Sequence, residues 1–125
     1  MDKAQALHEF WSSFSLTAID ENSAYDERMD LPDNYITYEV QTSNIESSVA
    51  LTASLWYHST SWVEISRKAN EIAQGIGYGG KVVKIDGGYL WIKLGAPFAQ
   101  RMPVEENDSM RRIILTISVD YLTET

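Results

Sequence analysis

A chain of 125 residues, 44% hydrophobic and 22% charged, has the composition of one globular domain and can bury roughly two-thirds of its surface. With no cysteine and no apolar run near the ~20 residues that span a bilayer, disulfides, thiolate chemistry, Cys-ligated zinc and a transmembrane helix are excluded. The net charge of −8 lies wholly in residues 1–62, which hold ten acids and two bases against eight of each in residues 63–125, so general binding to phosphate backbones is disfavoured.

The opening MDKAQALHEFWSSF carries acids and no small-residue cleavage pattern, so no signal peptide is expected and cytosolic synthesis is the simplest expectation. Within it Leu7, Phe10, Trp11 and Phe14 recur at i, i+3, i+4 and i+7, which predicts an amphipathic helix over residues 3–14. Residues 16–19 suit a short edge strand. Residues 20–33 form an acidic connection with Met29, Leu31 and Pro32 as anchors, expected to run over the surface as a flexible loop. Residues 34–41 place Ile36, Tyr38 and Val40 on one face and Tyr35, Thr37 and Glu39 on the other. Residues 47–58 set Val49, Leu51, Ala53, Leu55 and Tyr57 against Ala50, Thr52, Ser54 and Trp56. Two period-2 strands joined by the polar residues 42–46 predict a β-hairpin.

Ser61, Trp62, Val63 and Glu64 match the S-x-x-E capping box, in which serine and glutamate satisfy two orphan N–H groups of a helix start. The helix predicted from there runs to about residue 74, with Trp62, Ile65, Ala69, Ile72, Ala73 and Ile76 as its apolar stripe and Arg67, Lys68, Asn70 and Glu71 outward. The glycines from Gly75 onward end it. Residues 81–95 form a second hairpin around Asp86-Gly87 or Gly87-Gly88, both compatible with a two-residue type I′ turn. Residues 96–109, with two prolines and the acids Glu105, Glu106 and Asp108, read as a second long flexible loop. Residues 110–122 are the clearest strand, with Ile113, Leu115, Ile117, Val119 and Tyr121 on one face and Arg112, Thr116, Ser118 and Asp120 on the other. This order predicts a single α+β domain over residues 1–125: a mainly antiparallel sheet of hairpin-joined strands with two helices packed on one face.

Motifs that carry chemistry are weak. Gly75 to Gly80 match G-x-G-x-x-G, but a helix precedes them and a strand follows. Dinucleotide binding needs the reverse order, so that phosphate meets the positive end of a helix. His8 and His58 are the sole imidazoles, and neither has metal-ligand spacing to a second ligand or a nucleophile motif beside it. The acidic run from Asp20 to Glu27 lacks the glycine that a calcium loop requires at its sixth position. No catalytic residue, cofactor or metal site is nominated.

The second hairpin has more to bury than one core needs. In either register Val83, Ile85, Leu90, Ile92 and Leu94 share one face, while Val82, Lys84, Tyr89, Trp91 and Lys93 share the other. The first face meets the helices, since five aliphatic side chains contribute roughly 1.5–3 kcal/mol each on burial. The second then points away from them. A half-exposed surface shielded by lysine stems, a platform for single-stranded nucleic acid and a protein–protein contact all suit it. Two lysines in a chain of charge −8 make the nucleic-acid option the weakest. Tyr38 and Trp56 extend this surface if register allows.

The stretches ASLWYHSTSWVEI at 53–65, DGGYLWIK at 86–93, PFAQR at 97–101 and RRIIL at 111–115 resemble the tail-terminator (tail-completion) proteins of long-tailed siphophages that infect low-GC Gram-positive bacteria. The resemblance implies a non-enzymatic virion structural protein without cofactor. It implies a small α+β subunit that assembles with itself into a ring, a hexamer in that family, on the head-proximal end of the tail tube. Such a ring is assembled in the host cytoplasm, stops polymerisation of the tube protein and offers a docking surface to the head–tail neck or connector. DNA passes through it without specific binding, and no membrane is involved. The interface residues expected on this reading are Val82, Lys84, Tyr89, Trp91 and Lys93 on the hairpin, with Phe98 as an apolar tip and Arg101 as a hydrogen-bonding fork on the loop. Two other readings stand beside it: a different neck protein for head completion or head–tail joining, and a small bacterial ligand-binding or enzymatic domain.

Overall fold

The computed structural model of the chain describes residues 1–22, 31–41, 47–104 and 108–123. Helix α1 (Lys3–Ser12) starts at a capping box: the Gln5 N–H donates to the Asp2 carboxylate at 2.8 Å, and the Asp2 N–H donates to the Gln5 side-chain oxygen at 3.0 Å. It buries Ala6, Leu7, Phe10 and Trp11. The helix stops two residues before the predicted end, where the Ser13 hydroxyl donates to the Phe10 carbonyl and Ser15 takes a left-handed φ of 63°. Phe14 remains in the core beyond it. That turn delivers the chain into β1 (Thr17–Asp20), an edge strand as the sequence suggests.

β1 pairs in parallel with β2 (Asn34–Tyr38), and β2 pairs antiparallel with β3 (Ser47–His58). Helix α2 (Val63–Ile76) then crosses to the far edge, where β4 (Lys81–Ile85) begins. The long strands β5 (Gly88–Met102) and β6 (Met110–Thr123) fill the gap and give the order β1-β2-β3-β6-β5-β4. The fold is α+β, a mainly antiparallel sheet with two helices on one face.

Period-2 alternation decides which side faces the helices. Ile36 and Tyr38 of β2, Leu51, Ala53, Leu55 and Tyr57 of β3, Leu90 and Ile92 of β5, and Ile113 to Tyr121 at every second position of β6 are all buried. They join Leu7, Phe10 and Trp11 of α1 and Ile65, Ala69, Ile72 and Ile76 of α2 in one core. Tyr38 therefore belongs to the helix side, where its hydroxyl meets His8 Nδ1 at 2.8 Å, and it does not extend the opposite surface. Burial and then the Asp20 carboxylate raise its pKa.

Several expectations are corrected. Residues 96–102 are not loop: β5 continues through a bulge in which residues 95–98 stand opposite Thr116 alone, with a cis Ala96–Pro97 peptide. A bulge accommodates a proline without losing a ladder hydrogen bond, which is why Gly-Ala-Pro reads as loop yet sits within a strand. Leu94, placed on the core face, borders that break and stays 37% exposed. The second hairpin turns on Asp86-Gly87, since Ile85 pairs with Gly88. Only Gly87 of those two has positive φ, so the turn is not type I′, which needs positive φ at both. The capping box at 61–64 does not form: Ser61 Oγ accepts from the Val63 N–H at 3.1 Å, Trp62 is the N-cap, and Glu64 pairs with Arg67 instead. The acidic connection at 23–30, the polar connection at 42–46 and Glu105 and Glu106 lie outside the described residues.

Candidate assembly surface

The side of the sheet away from the helices, its outer face, is organised by cross-strand register. Val82, Trp91, Asp120 and Ser48 form one row across β4, β5, β6 and β3, and Lys84, Tyr89 and Leu122 form the next. Four apolar side chains in these rows are open to solvent: Val82 at 60%, Leu122 at 48%, Tyr89 at 47% and Trp91 at 36%. All five hairpin residues nominated from sequence lie here together. Leu122 was missed, although simple alternation from Asp120 places it on this face.

Trp91 is held more firmly than its neighbours. Its indole N–H donates to the Gly79 carbonyl at 3.0 Å, and Lys93 Nζ lies 4.4 Å from its ring centroid. Lys93 also donates to Asp120 Oδ2 at 2.8 Å. That bond, with a second from Ser48, holds the Asp120 carboxyl below its ordinary pKa. The shield of lysine stems considered from sequence thus exists over Trp91. Val82, Tyr89 and Leu122 are more open than Trp91.

Gly80 explains why Trp91 sits where it does. The Gly80 N–H donates to the Gly77 carbonyl at 3.2 Å and closes the turn after α2. Gly77 and Gly80 have φ of +81° and +87°, and a Cβ at Gly80 would stand 2.6 Å from Trp91 Nε1 and 2.7 Å from the Ile92 carbonyl oxygen. The glycine run thus ends the helix and packs its backbone against the indole. Tyr78, inside this turn, is wholly exposed at 107%.

The far half of the outer face is more polar. Tyr35, Trp56 and Arg112 are cross-strand neighbours: the two rings stack at 6.2 Å and 17°, and the guanidinium lies 4.7 Å from the Trp56 ring. Trp56 Nε1–H donates to Thr37 Oγ1 at 2.9 Å, and Arg112 Nε–H donates to Ser54 Oγ at 3.1 Å. With Glu21, Asn22 and Leu31 these residues line an open hollow of about 380 Å³.

Phe98 and Arg101 are not beside the hairpin rows. Phe98 is half-buried against the core rather than an exposed loop tip. Arg101 lies 4.9 Å from the Trp62 ring at the start of α2 and reaches Ser66 Oγ at 3.4 Å. Arg111 approaches the same ring and ties down the carbonyls of Thr60 and Asp108. His8 is engaged with Tyr38 and, at 3.4 Å, with Ser12; His58 Nδ1 meets the Asp33 carbonyl at 2.9 Å. Neither imidazole lines the hollow. Among the described residues no group of three His, Asp or Glu side chains is placed to hold a metal ion. No protein-family model matches the chain, and a search of curated proteins gives no match.

Proposed function

We propose that the protein is a virion structural subunit, a tail terminator that assembles into a ring on the head-proximal end of a phage tail tube, stops tube growth and provides the docking surface for the neck. The observation that carries this reading is the outer corner of the sheet, where Val82, Tyr89, Trp91 and Leu122 lie side by side, open to solvent on the side away from α1 and α2. Finishing the burial of such half-exposed side chains contributes roughly 1 kcal/mol each, enough in sum to favour a protein partner. Tyr and Trp on a rigid strand are also the residue types that concentrate binding energy at interfaces. The four stretches resembling tail-terminator proteins supply the kind of assembly. The acidic first half fits a lumen that lets DNA slide, because a basic wall would hold phosphates.

The role needs no catalytic residue and no cofactor. Its test is light scattering and electron microscopy of the purified chain, alone and with purified tail-tube protein. The expected result is a ring of several copies and tubes whose growth ends when the chain is added. A chain that neither forms rings nor caps tubes rejects the proposal. Binding to a connector ring with no effect on tube growth assigns it to head–tail joining instead.

A further inference from the structure

The sheet ends on β4, and that edge carries backbone groups with no strand beside them. Asp86 and Gly87 form the two-residue loop, so Ile85 and Gly88 close it and hydrogen bonding alternates from there. Ile85, Val83 and Lys81 turn N–H and C=O toward β5, whereas Val82 and Lys84 turn theirs away. The Asp86 N–H has the same parity as these two, and it also points off the ladder, donating to the Met1 carbonyl at 2.8 Å. Among the described residues no backbone group takes the N–H or C=O of Val82 or Lys84. The edge stands apart from the chain ends that border the residues outside the description. β1 and β2 are at the opposite edge, Val104 and Asp108 lie beyond the far ends of β5 and β6, and Ser47 and Thr123 belong to strands further in.

Open groups along a five-residue strand are a template for one more strand. Its length is set at both ends: the Met1 carbonyl already occupies the Asp86 N–H, and the Gly80 N–H is spent on the Gly77 carbonyl at 3.2 Å. Main-chain bonds at such an edge supply affinity, and side chains at alternate positions supply selectivity.

The side chains beside the edge decide what can dock. On the outer face an added strand meets Val82, 60% exposed, and Lys84, which is exposed and has no ion pair among the described residues. Lys81 does not take part, since it lies on the helix side with Nζ 5.9 Å from the Phe10 ring centroid. The matching strand therefore carries an apolar residue opposite Val82 and an acid, two places along, opposite Lys84. β4 of a second copy brings another Lys84 to the same face and fails that match. Side chains of the added strand also continue the rows Val82–Trp91 and Lys84–Tyr89–Leu122, the corner on which the terminator reading rests. The partner which that reading supplies is the tail-tube protein.

We infer that an extended segment of the tail-tube protein adds to β4 as a further strand, bonded to the backbone of Val82 and Lys84 and bringing an acid to the Lys84 side chain. The inference rests on the terminator reading and names how its partner binds. Its test is amide hydrogen exchange and co-sedimentation of the full chain with purified tail-tube protein, beside a tube-length assay. On binding, the Val82 and Lys84 amides are expected to exchange at least about tenfold more slowly, while those of Val83 and Ile85, already bonded to β5, stay as they were. Val82→Pro removes an N–H that β5 does not use, a change that an edge strand tolerates, and is expected to weaken binding at least about tenfold. Val82→Ile keeps the N–H and is expected to bind within about threefold of the wild type. The exchange result stands on the wild type alone and decides the matter if Val82→Pro fails to fold. Unprotected amides, binding by Val82→Pro equal to the wild type, or an equal loss in both variants overturns the added strand; if the wild type still ends tube growth, the terminator role stands without it. Protection that develops in the chain alone as its concentration rises assigns the edge to a second copy and also overturns the inference. Protection by tube protein whose growth never stops keeps the added strand and rejects the terminator. A chain that neither binds nor caps tubes rejects both.

Discussion

Replacing Trp91 by lysine separates the cost of folding from the cost of assembly. Within the monomer Trp91 makes one partly exposed hydrogen bond to Gly79 and one cation–ring contact with Lys93. A hydrogen bond of that kind is worth about 1 kcal/mol and an exposed cation–ring pair about 0.5–1 kcal/mol, so Trp91→Lys is expected to destabilise the monomer by roughly 1.5–2 kcal/mol. In a domain of this length that corresponds to a melting temperature lower by roughly 5–10 °C, with folding retained. Assembly should suffer more, because a tryptophan at the centre of a contact is commonly worth 2–4 kcal/mol, about a thirtyfold to thousandfold loss. Leu122→Lys is the companion: its side chain is 48% exposed beside Tyr89, so the monomer should melt within a degree or two of the wild type while tube capping weakens. Thermal melting and a tube-length assay read the two effects. Loss of more than about 4 kcal/mol for Trp91→Lys puts its ring in the core. Leu122→Lys capping tubes as well as the wild type would falsify the claim that this corner is covered in the assembly.

Leu115→Ala, at a position with no exposure, should lower unfolding free energy by about 2–5 kcal/mol in denaturant titration, and a loss below 1 kcal/mol contradicts the core assignment. Gly80→Ala places a Cβ into Trp91 and the Ile92 carbonyl at positive φ; a cost of about 1–3 kcal/mol and a shifted Trp91 fluorescence are expected, and an unchanged spectrum speaks against the pinned turn. In alkali, the Tyr121 hydroxyl is pushed up to about 12 by burial, from an ordinary 10.0, and Tyr38 and Tyr57 are raised for the same leading reason. A group with a raised folded-state pKa contributes its full stabilisation below the unfolded value and loses it as pH climbs through the folded one. For Tyr121 that is about 2–3 kcal/mol lost between about pH 10 and 12, and Tyr121→Phe should flatten that part of the stability–pH curve. In acid, Asp120 has a lowered pKa, so its bond to Lys93 holds at neutral pH and fails only below the ordinary carboxylate range; Asp120→Asn should remove that acid-side dependence.

Strands were legible where alternation was unbroken and one face was dry. The run Ile113, Leu115, Ile117, Val119, Tyr121 fixes the faces of β6, and the same pattern fixes β3 to the residue. The faces of the second hairpin followed because period-2 parity does not depend on which turn is used. Bulges break this logic. Proline and glycine at 95–97 signal a loop to any local rule, and only pairing with the distant β6 reveals that the strand resumes at Ala99. Caps misled in both directions. Asp2 and Gln5 form a box although Asp2 is not the Ser or Thr of the usual pattern, while Ser61 and Glu64 match one that does not form because Ser61 serves Val63 and Glu64 finds Arg67. The hollow was illegible because it joins Glu21 and Leu31 to Tyr35, Trp56 and Arg112 through β1–β2–β3–β6 adjacency, and no linear spacing encodes that neighbourhood.

The outer face divides into two regimes, and the division argues for partial rather than complete cover in the proposed assembly. Toward β2 and β3 its polar atoms are mutually satisfied: Trp56 with Thr37, Arg112 with Ser54, Ser48 with Ser118. Such a surface loses little by staying wet. Toward β4 and β5 the same face offers Val82, Tyr89 and Leu122, which gain only from burial. A free edge strand with apolar neighbours invites indiscriminate pairing, and lysines along it are a common defence. Lys81 and Lys84 supply that defence on β4. Lys81 turns to the helix side over the Phe10 ring, so a partner suited to this corner brings an acid to meet Lys84 and apolar side chains to cover the rows beside it. An uncharged partner would have to desolvate Lys84 without compensation, a cost that works against the gain from Val82, Tyr89 and Leu122. Lys84→Glu should then weaken the correct association while leaving the fold intact, and unchanged affinity would show that the partner approaches without crossing the β4 edge.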